Sequence, residues 1–157
     1  MSSEFRAIDR STASFHVKKL GFLHIKGILG EFSGTVSFDP KHPEAAVFDL
    51  CPAARTIDSG NAKRDEHLKS ADFFDVDEHP EICFVSRSVK RVNDRFRADG
   101  KLSLLSLSKE VSIPFSYHQG EFKGQFSLKR KDYGLGKKFP SFFVANTIDI
   151  AITCQTK

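Results

Sequence analysis

Tryptophan is absent from this chain, and only two tyrosines and one methionine occur in it. The aromatic content is instead 16 phenylalanines, so almost none of it carries a polar group that needs a partner. Phenylalanine offers a large apolar area with no hydrogen-bonding obligation, which suits a dry interior. Composition alone leaves open whether those rings fill a core or line a space. There is no run of apolar residues approaching the 18 or more that would cross a bilayer as a helix. The N-terminal Met-Ser-Ser-Glu-Phe-Arg shows no basic segment leading into an apolar one, so no signal peptide is expected. That points to a cytoplasmic protein, or to a periplasmic one if the sequence is a mature form.

Cysteine is scarce too. Cys51, Cys83 and Cys154 are widely spaced and odd in number, without a CxxC pair. That pattern speaks against a disulfide framework and for a reducing compartment. The six histidines show no HxH, HExxH or other paired spacing, so neither a metal site nor a cofactor is expected. There is no GxSxG nucleophile motif and no phosphate-binding glycine loop. Nor is there a strong charge of one sign. The net charge is +4, and the densest basic stretches are Lys129–Lys131 and Lys137–Lys138. No helix-turn-helix or zinc-finger pattern accompanies them, so nucleic acid is not an expected partner.

What is present is alternation. Val111, Ile113, Phe115 and Tyr117 alternate with polar residues or proline, as do Phe122, Gly124, Phe126 and Leu128 with polar ones. Ile148, Ile150, Ile152 and Cys154 repeat the pattern, and so do Phe32, Gly34, Val36 and Phe38. A period of two with one polar face is the signature of antiparallel strands wet on one side. Residues 118–121 read as a hairpin turn. Weaker strands are expected at 13–18, 45–50, 82–89, 94–98 and 100–107, and Pro114 suggests a sheet edge or a bulge. One short helix is expected, starting near 58–61 and running to about residue 70. All 157 residues read as a single all-β domain of about eight antiparallel strands. Periodicity does not choose between a sandwich and a barrel.

Several blocks then carry a resemblance. Ser14-Phe15-His16-Val17-Lys18, Gly34-Thr35-Val36 and Phe38-Asp39-Pro40 lead into Ile57-Asp58-Ser59-Gly60-Asn61, Arg64-Asp65, His67-Leu68 and Asp72-Phe73-Phe74-Asp75-Val76. Phe84, Ser86, Gly100, Leu102, Arg130, Asp132-Tyr133-Gly134-Leu135 and Ile148 complete the series. The sequence resembles the YceI-like polyisoprenoid-binding family over nearly its whole length. The resemblance implies a lipocalin-like β-barrel whose interior holds a long isoprenoid, an isoprenoid quinone or a similar amphiphile. The expected role is carriage or sequestration, not catalysis. A small enzyme acting on an amphiphile and an interaction scaffold with a filled core are the alternatives.

The wall candidates are Phe15, Phe32, Val36, Phe38, Phe84, Ile113, Phe115, Phe126 and Ile148, each of which could equally be ordinary core. Arg64, Asp65, His67 and Arg130 are candidates either to meet a head group or to anchor structure, with Arg64 and Asp65 paired to loop charges in the second case. A homodimer is left open by the sequence.

Overall fold

In the computed structural model, which describes residues 3–5 and 11–156, the alternating segments form one antiparallel sheet of ten strands. In chain order these are β1 (Ser3–Phe5), β2 (Thr12–Lys19), β3 (Leu23–Leu29), β4 (Ser33–Phe38) and β5 (Val47–Cys51). There follow β6 (Cys83–Val92), β7 (Arg95–Leu104), β8 (Leu107–His118), β9 (Glu121–Lys129) and β10 (Thr147–Gln155). The spatial order is β1-β4-β5-β6-β7-β8-β9-β10-β2-β3. The sheet curls so that its inward rows meet in one core, which includes Phe15, Phe32, Val36, Phe84, Ile113, Phe115 and Ile148. Among the described residues, no helix is long and apolar enough to cross a membrane.

The β3 edge of the sheet is joined to the segment that follows β5. Ile28 and Asp58 exchange both backbone hydrogen bonds, at 2.9 and 3.0 Å. The Ala53 N–H donates to the Gly30 carbonyl at 3.1 Å, and the Gly30 N–H donates to Thr56 Oγ1 at 2.9 Å. Residues 53–58 thus cover the free edge of β3.

The register explains most of the alternation. On β9, Phe122 and Leu128 are buried, and Lys123 and Lys129 face solvent. Gly34 sits at φ +111° with its α-carbon against the Asp49 carbonyl, so no side chain fits there. Pro114 lies on a strand with neighbours on both sides, yet β8 and β9 pair only from Phe115 and Gly124 to the hairpin tip. The proline falls where that ladder stops and no N–H is needed.

Three expectations need correction. β3 escaped the periodicity because Gly27 interrupts its inward row and Ile28 points outward, 49% exposed. The Phe15 ring lies over Gly27 and fills the place of its missing side chain. Residues 94–98 and 100–107 do not form two separate strands, since β7 runs unbroken through Gly100 and turns at Leu105 into β8. Finally, Cys51 and Cys83 form a disulfide across the ends of β5 and β6. The register Leu50↔Phe84 sets them opposite each other although 32 residues separate them in sequence. The inference to a reducing compartment therefore loses its basis, and Cys154 alone stays a free, buried thiol among the described residues.

The helix, α1, spans Ala62–Lys69. Asn61 caps it by accepting the Arg64 N–H at 3.0 Å. Its sequence has almost no apolar face, so side-chain bonds to the preceding loop, rather than burial, fix its place.

A phenylalanine-lined cavity and its mouth

The inward rows do not fill the barrel. A cavity of about 390 Å³ remains inside, within the range usual for small-molecule sites. Eleven of the 16 phenylalanines line it. Phe38 and Phe96 are core beneath it, Phe22 and Phe142 stand in solvent, and Phe5 belongs to β1. The phenylalanine surplus is therefore chiefly a wall.

Of the nine wall candidates, Phe15, Phe32, Phe84, Ile113, Phe115, Phe126 and Ile148 border the cavity. Val36 and Phe38 do not. They lie one layer deeper, at the closed end, 0% and 1% exposed. There Phe38 packs edge-on against Phe96, Phe122 and Phe115, with ring centroids 5.1, 5.2 and 5.8 Å away. These two are floor packing, since the rings of Phe48, Phe115 and Phe122 stand between Phe38 and the void.

Arg64, His67, Phe73, Phe139 and Phe143 border the cavity and are at least partly exposed, which puts its mouth beside α1 and the loop 134–145. Sequence reasoning missed the rings of Phe73, Phe139 and Phe143, which line this mouth. Phe73 and Phe139 stack with centroids 5.0 Å apart, and Phe143 continues the row at 5.9 Å from Phe139. The only signal for them was the excess of phenylalanine, because loops have no periodicity to read. His67 meets both Phe73 and Phe139 edge-on and holds Asp72 through Nε2 at 2.9 Å. Lys138 reaches the same carboxylate at 2.8 Å. The hydrogen bonds from Lys138 and then His67 hold the Asp72 carboxyl below its ordinary range.

The four polar candidates separate. Arg64 and His67 border the cavity, whereas Asp65 does not. Asp65 Oδ1 accepts from both the N–H and the hydroxyl of Ser59, and Arg64 donates from Nε to Ser59 Oγ at 2.8 Å and from Nη2 to the Ser59 carbonyl at 2.7 Å. They anchor the helix to an uncharged serine, which corrects the expected pairing with loop charges.

Arg130 also borders the cavity but is 1% exposed. Nε donates to the Ala145 carbonyl, Nη1 to those of Leu135 and Gly136, and Nη2 to those of Phe139 and Val144, at 2.6–3.2 Å. A guanidinium has five N–H groups, so all are used. Arg130 ties the mouth loop to the barrel and has no donor left for a head group. Burial lowers its pKa from the ordinary arginine value. Gly136, at φ +61°, lets the loop pass under Phe73, where a β-carbon would strike the ring.

Comparison with known proteins agrees with this architecture. Residues 7–156 match the YceI-like domain. The chain belongs to the YceI-like family. A UPF0312 protein of Azotobacter vinelandii is 35% identical over 135 residues, covering 79% of this chain and 70% of the relative. Protein YceI of Salmonella arizonae is 30% identical over 132 residues, covering 78% and 69%. Among solved structures, Burkholderia cenocepacia BcnA superposes with a TM-score of 0.88 at 21% identity, over 94% of this chain and 96% of that one. A polyisoprenoid binding domain from Saccharophagus degradans, implicated in plant cell wall breakdown, superposes over the full length of both chains with a TM-score of 0.73 at 9% identity. At these identities the superpositions establish the fold.

Proposed function

We propose that this YceI-like barrel binds a long-chain apolar ligand in its interior, a polyisoprenoid, an isoprenoid quinone or a similar amphiphile, as a carrier or store. The observation that carries the reading is the phenylalanine-lined cavity of about 390 Å³. A fully packed scaffold has no use for eleven rings around a void, which forfeits dispersion contacts on every side. A hydrocarbon chain restores those contacts. It also gains roughly 25 cal/mol for each Å² of apolar surface removed from water, so a few hundred Å² supply binding energy without any polar contact. The likeness to a polyisoprenoid binding domain supports the same ligand class.

The test is to fill the space. Ala98 is 3% exposed and borders the cavity, so Ala98→Phe projects a ring into it. Overpacking a tight core costs about 1–3 kcal/mol. Growth into a void should leave the urea midpoint near that of the parent while uptake of a fluorescent polyprenyl analogue is lost. Gly34→Leu is no substitute, because its β-carbon meets the Asp49 carbonyl before reaching any cavity. If the delipidated parent takes up no long-chain amphiphile of several classes, the carrier reading fails. Turnover of an amphiphile that disappears in His67→Ala, with uptake retained, would make the barrel an enzyme instead.

A further inference from the structure

Of the nine large apolar side chains exposed among the described residues, the two most exposed, both phenylalanines, lie at one place together with two leucines. Phe142 is 80% exposed and Phe22 69%, with Leu20 and Leu23 at 45% each. Single exposed apolar residues are ordinary, but a group of them marks an interaction surface. Leu20 and Phe22 belong to the turn between β2 and β3, Leu23 opens β3, and Phe142 belongs to the mouth loop. The two segments are fastened together: the Leu20 N–H donates to the Phe143 carbonyl at 2.8 Å, and the Ala145 N–H to the Lys18 carbonyl at 2.9 Å. Lys19 and Phe143, chain neighbours of Leu20 and Phe142, border the cavity. The exposed rings and leucines therefore form part of its rim.

Within the two segments that carry them the charge is of one sign, and Asp149 of β10, which lies beside His16 and near Lys18, is the carboxylate facing β2. Residues 11–30 and 133–148 contain no aspartate or glutamate, and they carry Lys18, Lys19, Lys26, Lys137 and Lys138. Lys19 lies over the Phe143 ring and Lys138 over that of Phe139. Asp72, the carboxylate that reaches the mouth from α1's side, is already held by Lys138 and His67. Rings and leucines projecting from loop tips among lysines match a bilayer interface, where apolar groups enter the acyl boundary and cations meet anionic head groups.

We propose that the rim formed by Leu20, Phe22, Leu23 and Phe142 docks on the surface of an anionic lipid bilayer, with Lys18, Lys19 and Lys137 against the head groups and the cavity mouth toward the membrane. An apolar molecule would then pass between acyl chains and cavity without crossing water. The docking stands on surface residues and holds whatever the cavity carries, so it is tested without that ligand.

The absence of tryptophan supplies the probe, since Phe142→Trp introduces a single indole at the rim. Mixed with vesicles of phosphatidylglycerol and phosphatidylcholine, this variant should show blue-shifted emission, quenched when the lipids are brominated. Binding should weaken with added salt and be at least tenfold weaker on pure phosphatidylcholine, because each basic residue near an anionic surface contributes roughly fivefold. The F22S/F142S variant of the otherwise unchanged chain should lose about tenfold or more in co-sedimentation with the same vesicles. Both positions are exposed, so its thermal midpoint should match the parent's, and uptake of the polyprenyl analogue from solution should be unchanged. Failure of the parent to bind anionic vesicles overturns the docking, as does equal binding by F22S/F142S. A parent that self-associates through this rim and ignores vesicles overturns it too, and makes the surface a contact between copies of the chain.

Discussion

The two ends of the barrel are built from the same residue type in different ways. At the closed end, Phe38 is surrounded by Phe48, Phe96, Phe115, Phe122 and Tyr117, each ring supported by others on several sides. At the mouth, Phe73, Phe139 and Phe143 stand in a single row with the cavity on one side. Of these three rings, Phe73 packs against the buried core. The mouth loop is held from behind by a buried guanidinium and from the front by an ion pair. The closed end is stabilised by packing and the mouth by hydrogen bonds. Only the second arrangement lets rings shift aside without opening voids in a core.

Truncating one ring at each end tests that contrast most strongly. Phe38→Ala should cost about 3–5 kcal/mol by urea unfolding, as expected for a fully enclosed ring. Phe139→Ala should cost about 1 kcal/mol, because half its surroundings are already cavity or solvent. The kinetics should reverse the ranking, with stopped-flow release of a bound polyprenyl analogue faster in Phe139→Ala and unchanged in Phe38→Ala. Comparable stability losses at the two sites would erase the distinction. Next in size is Arg130→Met, which leaves several buried carbonyls without donors and should cost about 3 kcal/mol. Amide exchange should then accelerate in residues 134–145 before it does in β7 or β8. Uniform acceleration would mean that the loop is not the element Arg130 holds. The smallest effect belongs to Asp72. Its carboxyl titrates below the ordinary range in the folded chain, so its contribution is present above the unfolded value and fades as the pH falls through the folded one. Acidification across the carboxylate range should therefore speed ligand release, and Asp72→Asn should remove that dependence with little change in the unfolding midpoint near neutrality.

The strands legible in the sequence were those with a chiefly apolar inward row and a polar outward one, as on β8, β9 and β10. Alternation records which face is dry, and on these strands nothing competes with it. β3 was lost because Gly27 borrows the ring of Phe15 from the next strand, a loan that no single-strand pattern can show. The Cys51–Cys83 bond was lost for a related reason, since pairing register is a property of two distant segments. At the site, the wall was legible as an excess of phenylalanine and the resemblance added its most specific block. Neither could tell a ring facing the void from one a layer deeper, and so Val36 and Phe38 were placed with Phe15. That difference is set by how far the sheet curls, which is decided by all ten strands together.

None of the bonds made by Arg130 ends on a carboxylate. Five carbonyl dipoles do for the guanidinium what water would do, but dipoles carry no net charge, and one whole positive charge stays in the cavity wall. Arginine does not give up its proton at any pH the fold survives, so the potential it projects into the cavity is constant. Across roughly 8 Å at an effective dielectric near 20, a unit charge is worth about 2 kcal/mol. Desolvation opposes any ion inside the barrel, but the charge lessens that cost for an anion by this amount and adds as much for a cation, without any contact being made. The clasp that holds the mouth in shape is thus also a fixed electrostatic sieve.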